Sequence, residues 1–264
     1  PVAHIHGVDV MIGATIDDSL RHALTKFAHI HFPVSEQSAE RIRRLGEEPS
    51  RITVSGAPGL DDILNGEYVP GTEACTQLGL DPNRPLILLV QHPVTTQPGA
   101  AGEHMQATVD ALEDIEAQIV LIYPNSDAGS NQMIDVIQNL PDCSDLLTFE
   151  SLPRELYLGV MDAADVMVGN SSSGILEAPS FDLPVVDIGP REERRQRADN
   201  TVSVPHETDA IAEAVHMCLT DAEMRQRAKS SPNPYDYDGA GQRIANTLAT
   251  VEVNEGLLRK NITY

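Results

Sequence analysis

Lysine is scarce in this 264-residue sequence, and positive charge as a whole is rare. Lysine occurs only at Lys26, Lys229 and Lys260, and arginine supplies the other cations. Against 40 Asp and Glu residues, the 18 Lys and Arg residues leave a formal net charge of −22. A field of this sign repels nucleic acid and anionic membranes, so neither is an expected partner. An anionic ligand has to be held by positive charge gathered at one place.

Long hydrophobic runs and paired cysteines are also missing. The longest unbroken apolar run, Leu86 to Val90, is far shorter than the roughly 20 residues that a membrane-spanning helix needs. Cys75, Cys143 and Cys218 are isolated from one another, which is typical of a reducing cytosol and argues against a disulfide framework or a structural zinc. We therefore expect a soluble, cytoplasmic protein.

Short apolar runs alternate with helical periodicity along the chain. Strands are predicted at residues 2–6, 29–32, 51–55, 86–91, 119–123, 166–169 and 184–188, and helices at 16–28, 36–45 and 239–258, with further helices between the later strands. Alternation of strands with helices indicates parallel sheets covered by helices. The predicted fold class is α/β, with two Rossmann-like domains.

A Gly- and Pro-rich stretch, residues 65–85, has the composition of a linker. We therefore predict that residues 1–67 are the C-terminal part of a first Rossmann-like domain and that residues 68–235 form a second, ligand-binding one. Residues 236–264 are predicted to be a helix that crosses back to the first domain. Because the sequence begins with Pro1 and residues 2–5 already resemble a strand, the first domain is expected to be incomplete.

Polar residues follow four of the predicted strands, in the loops 92–95, 124–129, 170–174 and 189–191. In an open parallel sheet, ligands bind outside the carboxyl ends of the strands, so these loops are expected to converge on one crevice. The candidate ligand contacts in them are His92, Asn125, Asp127, Ser171, Ser172, Ser173, Gly174 and Arg191.

The serine-rich loop precedes a predicted helix, whose N-terminal N–H groups and dipole favour a phosphate. A diphosphate is the predicted ligand, although the serines could also form an ordinary N-cap. Glu177, one turn further, is placed to accept hydrogen bonds from a ribose. The densest positive patch of the chain consists of Arg191, Arg194, Arg195 and Arg197. Its functional interpretation is phosphate binding, and its structural interpretation is a solvated loop paired with Glu192 and Glu193.

The first domain offers a second group of candidates. Asp17 and Arg21 are four residues apart on one predicted helix face, a spacing that is more often surface decoration. His4 and His6 share one face of a strand, but no third ligand follows at a suitable spacing, so no metal site is expected.

The ordered set of segments resembles the hydrolysing UDP-N-acetylglucosamine 2-epimerases of sialic-acid and capsule biosynthesis. The resemblance is carried by residues 4–7, 16–26, 56–61 and the four loops, notably 169–174. It implies a GT-B-like pair of Rossmann-like domains with the active site in the cleft, no cofactor, a UDP-sugar substrate, and a homodimer or homotetramer. The implied reaction eliminates UDP to give a 2-acetamidoglucal and then adds water to yield N-acetylmannosamine.

The resemblance also implies roles for individual residues. Asp17 and Arg21 match the family's catalytic helix, and His92 matches its active-site histidine. Ser171, Ser172, Glu177 and Arg191 match the contacts to UDP.

One segment departs from the family, which reads His-x-His-Gly-Gly-Glu, or the same with Glu at the second His. Here His6 matches the second His, while Val8 replaces the second Gly and Asp9 the Glu. His6 and Asp9 are both candidate catalytic groups. Because Asp is one methylene shorter than Glu, and misplacement by about an ångström can cost on the order of a hundredfold in rate, Asp9 is the weaker candidate.

Several other functions fit the same segments. A relative of this family could act on a UDP-2,4-diacetamido sugar, or return UDP-N-acetylmannosamine without hydrolysis. A two-domain glycosyltransferase shares the architecture. A non-catalytic UDP-sugar-binding module fits the departures at Val8 and Asp9.

Overall fold

The computed structural model describes residues 1–9, 15–141 and 143–263, without the side chains of residues 15–17. Its strands are β1 Ala3–Ile5, β2 Ile30–Phe32, β3 Leu86–Val90, β4 Gln118–Ile122, β5 Leu146–Phe149, β6 Val166–Gly169, β7 Val185–Ile188 and β8 Thr201–Val204. Its α-helices are α1 Thr15–Phe27, α2 Glu36–Arg44, α3 Asp61–Leu64, α4 Gly71–Leu78, α5 Ala101–Leu112, α6 Ser130–Gln138, α7 Arg154–Ala163, α8 Ser173–Leu176, α9 Thr208–Thr220, α10 Ala222–Ser230, α11 Ala240–Thr250 and α12 Glu255–Leu258. None of the helices in these residues combines the length and the apolar character needed to cross a membrane.

The larger sheet has six strands in the order β5-β4-β3-β6-β7-β8, and every neighbouring pair is parallel. The predicted α/β class with parallel sheets is confirmed. The strand order reverses direction between β3 and β6, which pair with each other although they are not consecutive in sequence. In open parallel sheets, the crevice at such a reversal is where ligands bind.

Strand β3 lies at the centre of this sheet and is buried along its whole length. Because successive side chains of a strand point to opposite faces, Ile87 and Leu89 join one apolar core with α5, α6 and α9. Leu86, Leu88 and Val90 join the other core, with α4 and α7. A strand that is covered on both faces has a continuous run of apolar residues in the sequence. For this reason the sequence pattern predicted the limits of β3 to within one residue.

The two edge strands, β5 and β8, are absent from the sequence prediction. Each pairs on one side only, and each is only partly buried. Edge positions tolerate polar residues such as Thr148 and Ser203, so no apolar run marks them. The strand predicted at 51–55 is also wrong: the chain runs beside β2, but Ile52 alone forms a bridge, to His31.

Residues 1–9 and 15–55 form a small lobe around the parallel pair of β1 and β2. We call residues 71–141 and 143–230 the large lobe. The segment between them packs against the large lobe, because Leu60 and Ile63 share an apolar cluster with Leu158 and Ile175. The predicted domain limits, after residue 67 and after residue 235, remain predictions.

The single helix predicted at 239–258 is wrong. The structure divides it into α11 and α12. The break begins at Val251, within a run of β-branched residues that disfavour helix, and Asn254 then starts α12 by accepting a hydrogen bond from Leu257 N–H at 2.9 Å. Arg51 of the small lobe donates to the carbonyl groups of Gly256 and Leu257, which holds this C-terminal stretch against the small lobe.

Glu47 is the centre of a buried charge cluster in the small lobe. Its carboxylate lies 2.6 Å from Lys26 Nζ and 2.7 Å from Lys260 Nζ, and 3.1 Å from His31 Nε2. The side chain of His31 is fully buried. Burial lowers the pKa of His31 to about 4, although Glu47 acts in the opposite direction.

This burial of His31 predicts how stability depends on pH. Between pH 6.5 and about 4 the unfolded chain binds a proton at His31 and the folded chain does not, so the free energy of unfolding falls as the pH falls. We expect His31→Gln to reduce the slope of the free energy of unfolding against pH, by an amount that corresponds to at most one bound proton. The measurement is urea unfolding across that pH range. The control His216→Gln, at an exposed position of α9, is expected to keep the wild-type slope. An unchanged slope for His31→Gln would contradict the prediction.

Candidate active site

The loops after β3, β4, β6 and β7 meet at the reversal of strand order. Asn170, directly after β6, accepts a hydrogen bond from His92 N–H at 2.7 Å and donates one to the carbonyl oxygen of His92 at 2.9 Å. The N–H of Asn125 donates to His92 Nδ1 at 3.1 Å. Arg191 Nη1 donates to the carbonyl oxygen of Asn170 at 3.1 Å. The structure therefore brings one residue of each loop into a connected network.

Two glycines make this close approach possible. Gly169 ends β6 with a φ of 130°, and a Cβ there would lie 2.0 Å from the carbonyl oxygen of Val90. Gly189 directly follows β7 with a φ of 78°, and a Cβ there would lie 2.2 Å from His206 Nε2. No side chain fits at either position, and both positive φ values favour glycine.

His92 is held as a neutral hydrogen-bond donor. Its Nδ1 accepts from Asn125, so the proton of the neutral ring resides on Nε2. Burial and the charge of Arg191 lower the pKa of His92 to about 4, although Asp127 acts in the opposite direction. At neutral pH this ring offers Nε2–H to an oxyanion without carrying a charge itself.

Asn125 and Asp127 form a closed turn after β4. Asn125 Nδ2 donates to Asp127 Oδ2 at 2.7 Å, and Asp127 N–H donates to Asn125 Oδ1 at 3.2 Å. Both side chains thus shape the loop that fixes the ring of His92.

The serine loop leads into the short helix α8. Ser173 N–H donates to Ser171 Oγ at 3.4 Å, so the loop caps itself in part. Gly174 is buried, and a Cβ there would lie 2.9 Å from Val185 Cγ1. Glycine at this position lets α8 pack closely on β7, a structural reason that no local sequence pattern shows. Ser172 and Ser173 stay partly exposed.

Glu177 lies at the end of α8, where Arg154 holds its carboxylate. Arg154 Nη1 is 2.9 Å from Glu177 Oε1, and Arg154 Nε is 2.7 Å from Asp62 Oδ2. Arg154 also donates to the carbonyl oxygen of Gly59. This arginine therefore fixes Glu177 against the segment that joins the two lobes.

The arginine patch after β7 is divided between solvent and interior. Arg194 and Glu193 are exposed, whereas Glu192 and Arg195 are buried. Glu192 pairs with Arg191 at 2.7 Å and with Arg195 at 3.0 Å. Burial raises the pKa of Glu192 above its ordinary value, even though both arginines act to lower it. The interpretation as a solvated loop therefore fits Arg194 and Glu193 but not the buried pair.

The small lobe reaches this patch through Asp9. His6 Nε2 and Arg195 Nε lie 3.1 Å and 3.3 Å from Asp9 Oδ2, and Arg21 donates to the backbone carbonyl of Asp9. Burial raises the pKa of Asp9, but the hydrogen bond from His6 and the charges of Arg195 and Arg21 outweigh it, so this pKa lies below its ordinary value. Asp17 belongs to α1, and its side chain lies outside the described residues.

Val8 has an unusual backbone conformation. Its φ is 58°, in the left-handed region that glycine adopts freely and that costs other residues roughly 1–2 kcal/mol. The family pattern described in the sequence analysis has a glycine where this chain has Val8. The positive φ explains why glycine suits this position. The side chain of Val8 is buried, and this burial offsets part of the strain.

Two residues of the site, Asn170 and Arg154, are not singled out by the sequence as ligand contacts or supports. The sequence does name Arg195 and Glu192, but as a phosphate contact or a solvated ion pair, whereas both side chains are buried. Asn170 lies within the predicted loop 170–174, but its clamp on His92 depends on the pairing of β3 with β6. Within the described residues, no group of three or more His, Cys, Asp or Glu side chains is arranged to hold a metal ion.

A parallel six-stranded sheet with polar loops at its strand reversal, joined to a second lobe, defines a two-lobed α/β protein of the doubly wound class. Residues 1–249 match the family model described as UDP-N-acetylglucosamine 2-epimerase, and the chain belongs to this family. It is 34% identical over 264 residues to a hydrolysing UDP-N,N'-diacetylbacillosamine 2-epimerase of Legionella pneumophila, covering the whole chain and 68% of that relative. It is 31% identical over 251 residues to a UDP-N-acetylglucosamine 2-epimerase of Neisseria meningitidis serogroup B, covering 95% of the chain and 65% of that relative.

Solved structures support the architecture. A crystal structure of UDP-GlcNAc 2-epimerase from Neisseria meningitidis bound to UDP-GlcNAc superposes with a TM-score of 0.78, over 95% of this chain and 70% of that one, at 16% identity in the structural alignment. At an identity this low, the structural similarity establishes the fold alone. The expected GT-B-like fold is confirmed. The chain thus spans about two thirds of the length of these relatives.

The clamp between Asn170 and His92 leads to a stability prediction. Asn170→Ala removes both hydrogen bonds and leaves the N–H and carbonyl groups of His92 without them, so we expect a loss of about 3 kcal/mol, measured by urea unfolding. The control Asn246→Ala, at an exposed position of α11, should change stability by no more than about 0.5 kcal/mol. If both variants change the free energy of unfolding by the same small amount, the clamp does not contribute to stability.

Proposed function

We propose that this protein is a hydrolysing 2-epimerase that converts UDP-N-acetylglucosamine and water to N-acetylmannosamine and UDP. The observation that carries the proposal is the network at the strand reversal, in which Asn125 and Asn170 fix His92 and Asn170 in turn contacts Arg191. A neutral N–H donor beside a guanidinium suits the diphosphate of a UDP leaving group, because charge develops there in the transition state.

The reaction divides into two steps. First, a base removes the C2 proton of the sugar while the C1–O bond breaks, and UDP leaves with that electron pair, giving a 2-acetamidoglucal. Water then adds across the double bond, with its oxygen at C1 and a proton at C2, to yield N-acetylmannosamine. Arg191 and the Nε2–H of His92 stabilise the departing diphosphate.

The small lobe supplies the proposed proton transfer. His6 is partly exposed, and its Nε2 contacts the carboxylate of Asp9 at 3.1 Å. A histidine held by a buried carboxylate has a fixed ring orientation and is a suitable acid or base. We assign proton transfer to His6, orientation of its ring to Asp9, and stabilisation of the developing oxocarbenium to the carboxylate of Asp17. Arg21, which donates to the backbone carbonyl of Asp9, is assigned to placing Asp9.

The large lobe supplies the proposed binding of UDP. Ser171, Ser172, Ser173 and the backbone at Gly174 are assigned to the phosphates. Glu177, held by Arg154 at 2.9 Å, is assigned to the ribose hydroxyls. Asn125 and Asp127 are assigned to the wall of the substrate pocket beside His92. No cofactor is required by this reaction, and a homodimer or homotetramer in the cytoplasm remains the expected assembly.

A second candidate substrate is a UDP-2,4-diacetamido sugar. The observation that favours it is the 34% identity to the Legionella pneumophila enzyme, whose name specifies UDP-N,N'-diacetylbacillosamine. The same elimination and hydration apply, because the reacting carbons C1 and C2 are unchanged.

The first experiment incubates the full-length protein with UDP-N-acetylglucosamine and, separately, with UDP-N,N'-diacetylbacillosamine, and follows the sugars by NMR. Free N-acetylmannosamine with UDP is the expected product of the first reaction. A faster reaction of the second sugar would reassign the substrate within the same mechanism. UDP-N-acetylmannosamine would show a non-hydrolysing enzyme, and UDP binding without turnover of either sugar would show a binding module.

Arg191 provides a separate prediction on binding. Arg191→Met removes a charge-assisted contact to the diphosphate, which typically contributes about 1.5–3 kcal/mol, so UDP should bind at least about tenfold more weakly in isothermal titration calorimetry. Arg194→Met, three residues away and exposed, removes the same charge and is the matched control. Similar losses in both variants would indicate a general effect of charge instead of a contact at Arg191.

A further inference from the structure

A continuous chain of polar side-chain contacts joins the two lobes. It runs from His6 to Asp9 at 3.1 Å, from Asp9 to Arg195 at 3.3 Å, from Arg195 to Glu192 at 3.0 Å, and from Glu192 to Arg191 at 2.7 Å. We call these five residues the interlobe ion chain. His6 and Asp9 belong to the small lobe, and the other three follow β7 of the large lobe.

The middle of the interlobe ion chain is shielded from water. The side chains of Asp9, Arg195 and Glu192 are 2%, 4% and 0% exposed. Buried ion pairs contribute little net stability, because desolvation offsets much of their attraction, yet removal of one partner leaves the other charge buried without compensation. Each of these three residues has a partner on both sides, so the position of each one depends on its two neighbours.

Both ends of the interlobe ion chain are groups to which the proposed function assigns chemistry. His6 is the proposed proton-transfer group of the small lobe, and Arg191 the proposed diphosphate contact of the large lobe. Arg191 also donates to the carbonyl oxygen of Asn170 at 3.1 Å, and Asn170 clamps His92. An ordered connection therefore leads from the nucleotide side of the cleft to the sugar side.

A second contact crosses the lobes beside it. Arg41 of α2 donates to the carbonyl oxygen of Val8 and to that of Arg194, each at 3.4 Å. The same small-lobe segment that carries Asp9 is thus tied twice to the loop after β7.

We propose that Arg195 and Glu192 are positioning residues that couple occupancy of the diphosphate site at Arg191 to the placement of His6 and Asp9 across the cleft. The proposal rests on the proposed function. Its physical basis is that reactions of this kind depend steeply on placement of the reacting groups, and that the buried contacts of Arg195 link the segment carrying His6 and Asp9 to the loop after β7.

The first test separates positioning from binding. In the full-length protein, Arg195→Met should lower kcat at least about 30-fold while KM and the Kd of UDP stay within about threefold, because Arg195 is assigned no contact to substrate. Arg195→Lys keeps the charge but lacks the guanidinium whose Nε contacts both Asp9 and Glu192, and should recover part of kcat. Arg194→Met is the matched control, with wild-type kcat expected.

The second test does not require turnover. Hydrogen exchange of residues 4–9, followed by mass spectrometry, should slow on addition of UDP in the wild type and in Arg194→Met, and this protection should be lost in Arg195→Met. If the wild type turns over neither sugar, the proposed function fails, and this measurement alone decides whether the lobes are coupled.

Three results would overturn the proposal. One is a kcat for Arg195→Met within twofold of the wild type. Another is UDP-dependent protection of residues 4–9 that persists in Arg195→Met. The third is an equal loss of UDP affinity and kcat in both Arg195 variants, which would indicate a purely structural role. Should Arg195→Met fail to fold, Arg195→Lys decides: reduced kcat and reduced protection support the coupling, and wild-type values of both refute it.

Discussion

The pairing of β3 with β6 is the constraint on which the site depends. These strands are separated in sequence by β4 and β5, yet they lie side by side and parallel. Their pairing places His92 and Asn170 next to each other at the carboxyl edge of the sheet, where the Asn170 side chain bonds both backbone groups of His92. The loops after β4 and β7 then complete the network through Asn125 and Arg191. The strands that carry this arrangement are held by two buried apolar cores.

Charge is distributed unevenly in a protein whose net charge is −22. Some of its cations lie where two parts of the chain meet. Lys26 of α1 and Lys260 of the C-terminal stretch both contact Glu47, Arg154 joins Glu177 to Asp62, and Arg195 joins the lobes at Asp9. In an acidic chain each of these contacts ties together separate segments, so a single substitution at such a point affects two elements at once.

The small-lobe segment from His6 to Asp9 departs from its family's usual sequence, and the structure gives the departure a physical meaning. Val8 adopts a left-handed φ that suits glycine, and the carboxylate of Asp9 is occupied by His6 and Arg195. These contacts support the proposed assignment of Asp9 as the group that orients the ring of His6.

The sequence by itself determined the α/β class, the central strands and the identity of the polar loops. Each of these depends on local patterns: the apolar run of β3 is continuous because both of its faces are buried, and the polar residues stand directly after the strands. It did not determine the edge strands β5 and β8, since a strand paired on one side carries no such pattern. The clamp of Asn170 on His92, the packing reason for Gly174 and the ion pair between Asp9 and Arg195 were decided only by tertiary structure. Their partners lie 78, 11 and 186 residues apart in sequence, and no local pattern encodes which distant side chains a fold brings into contact.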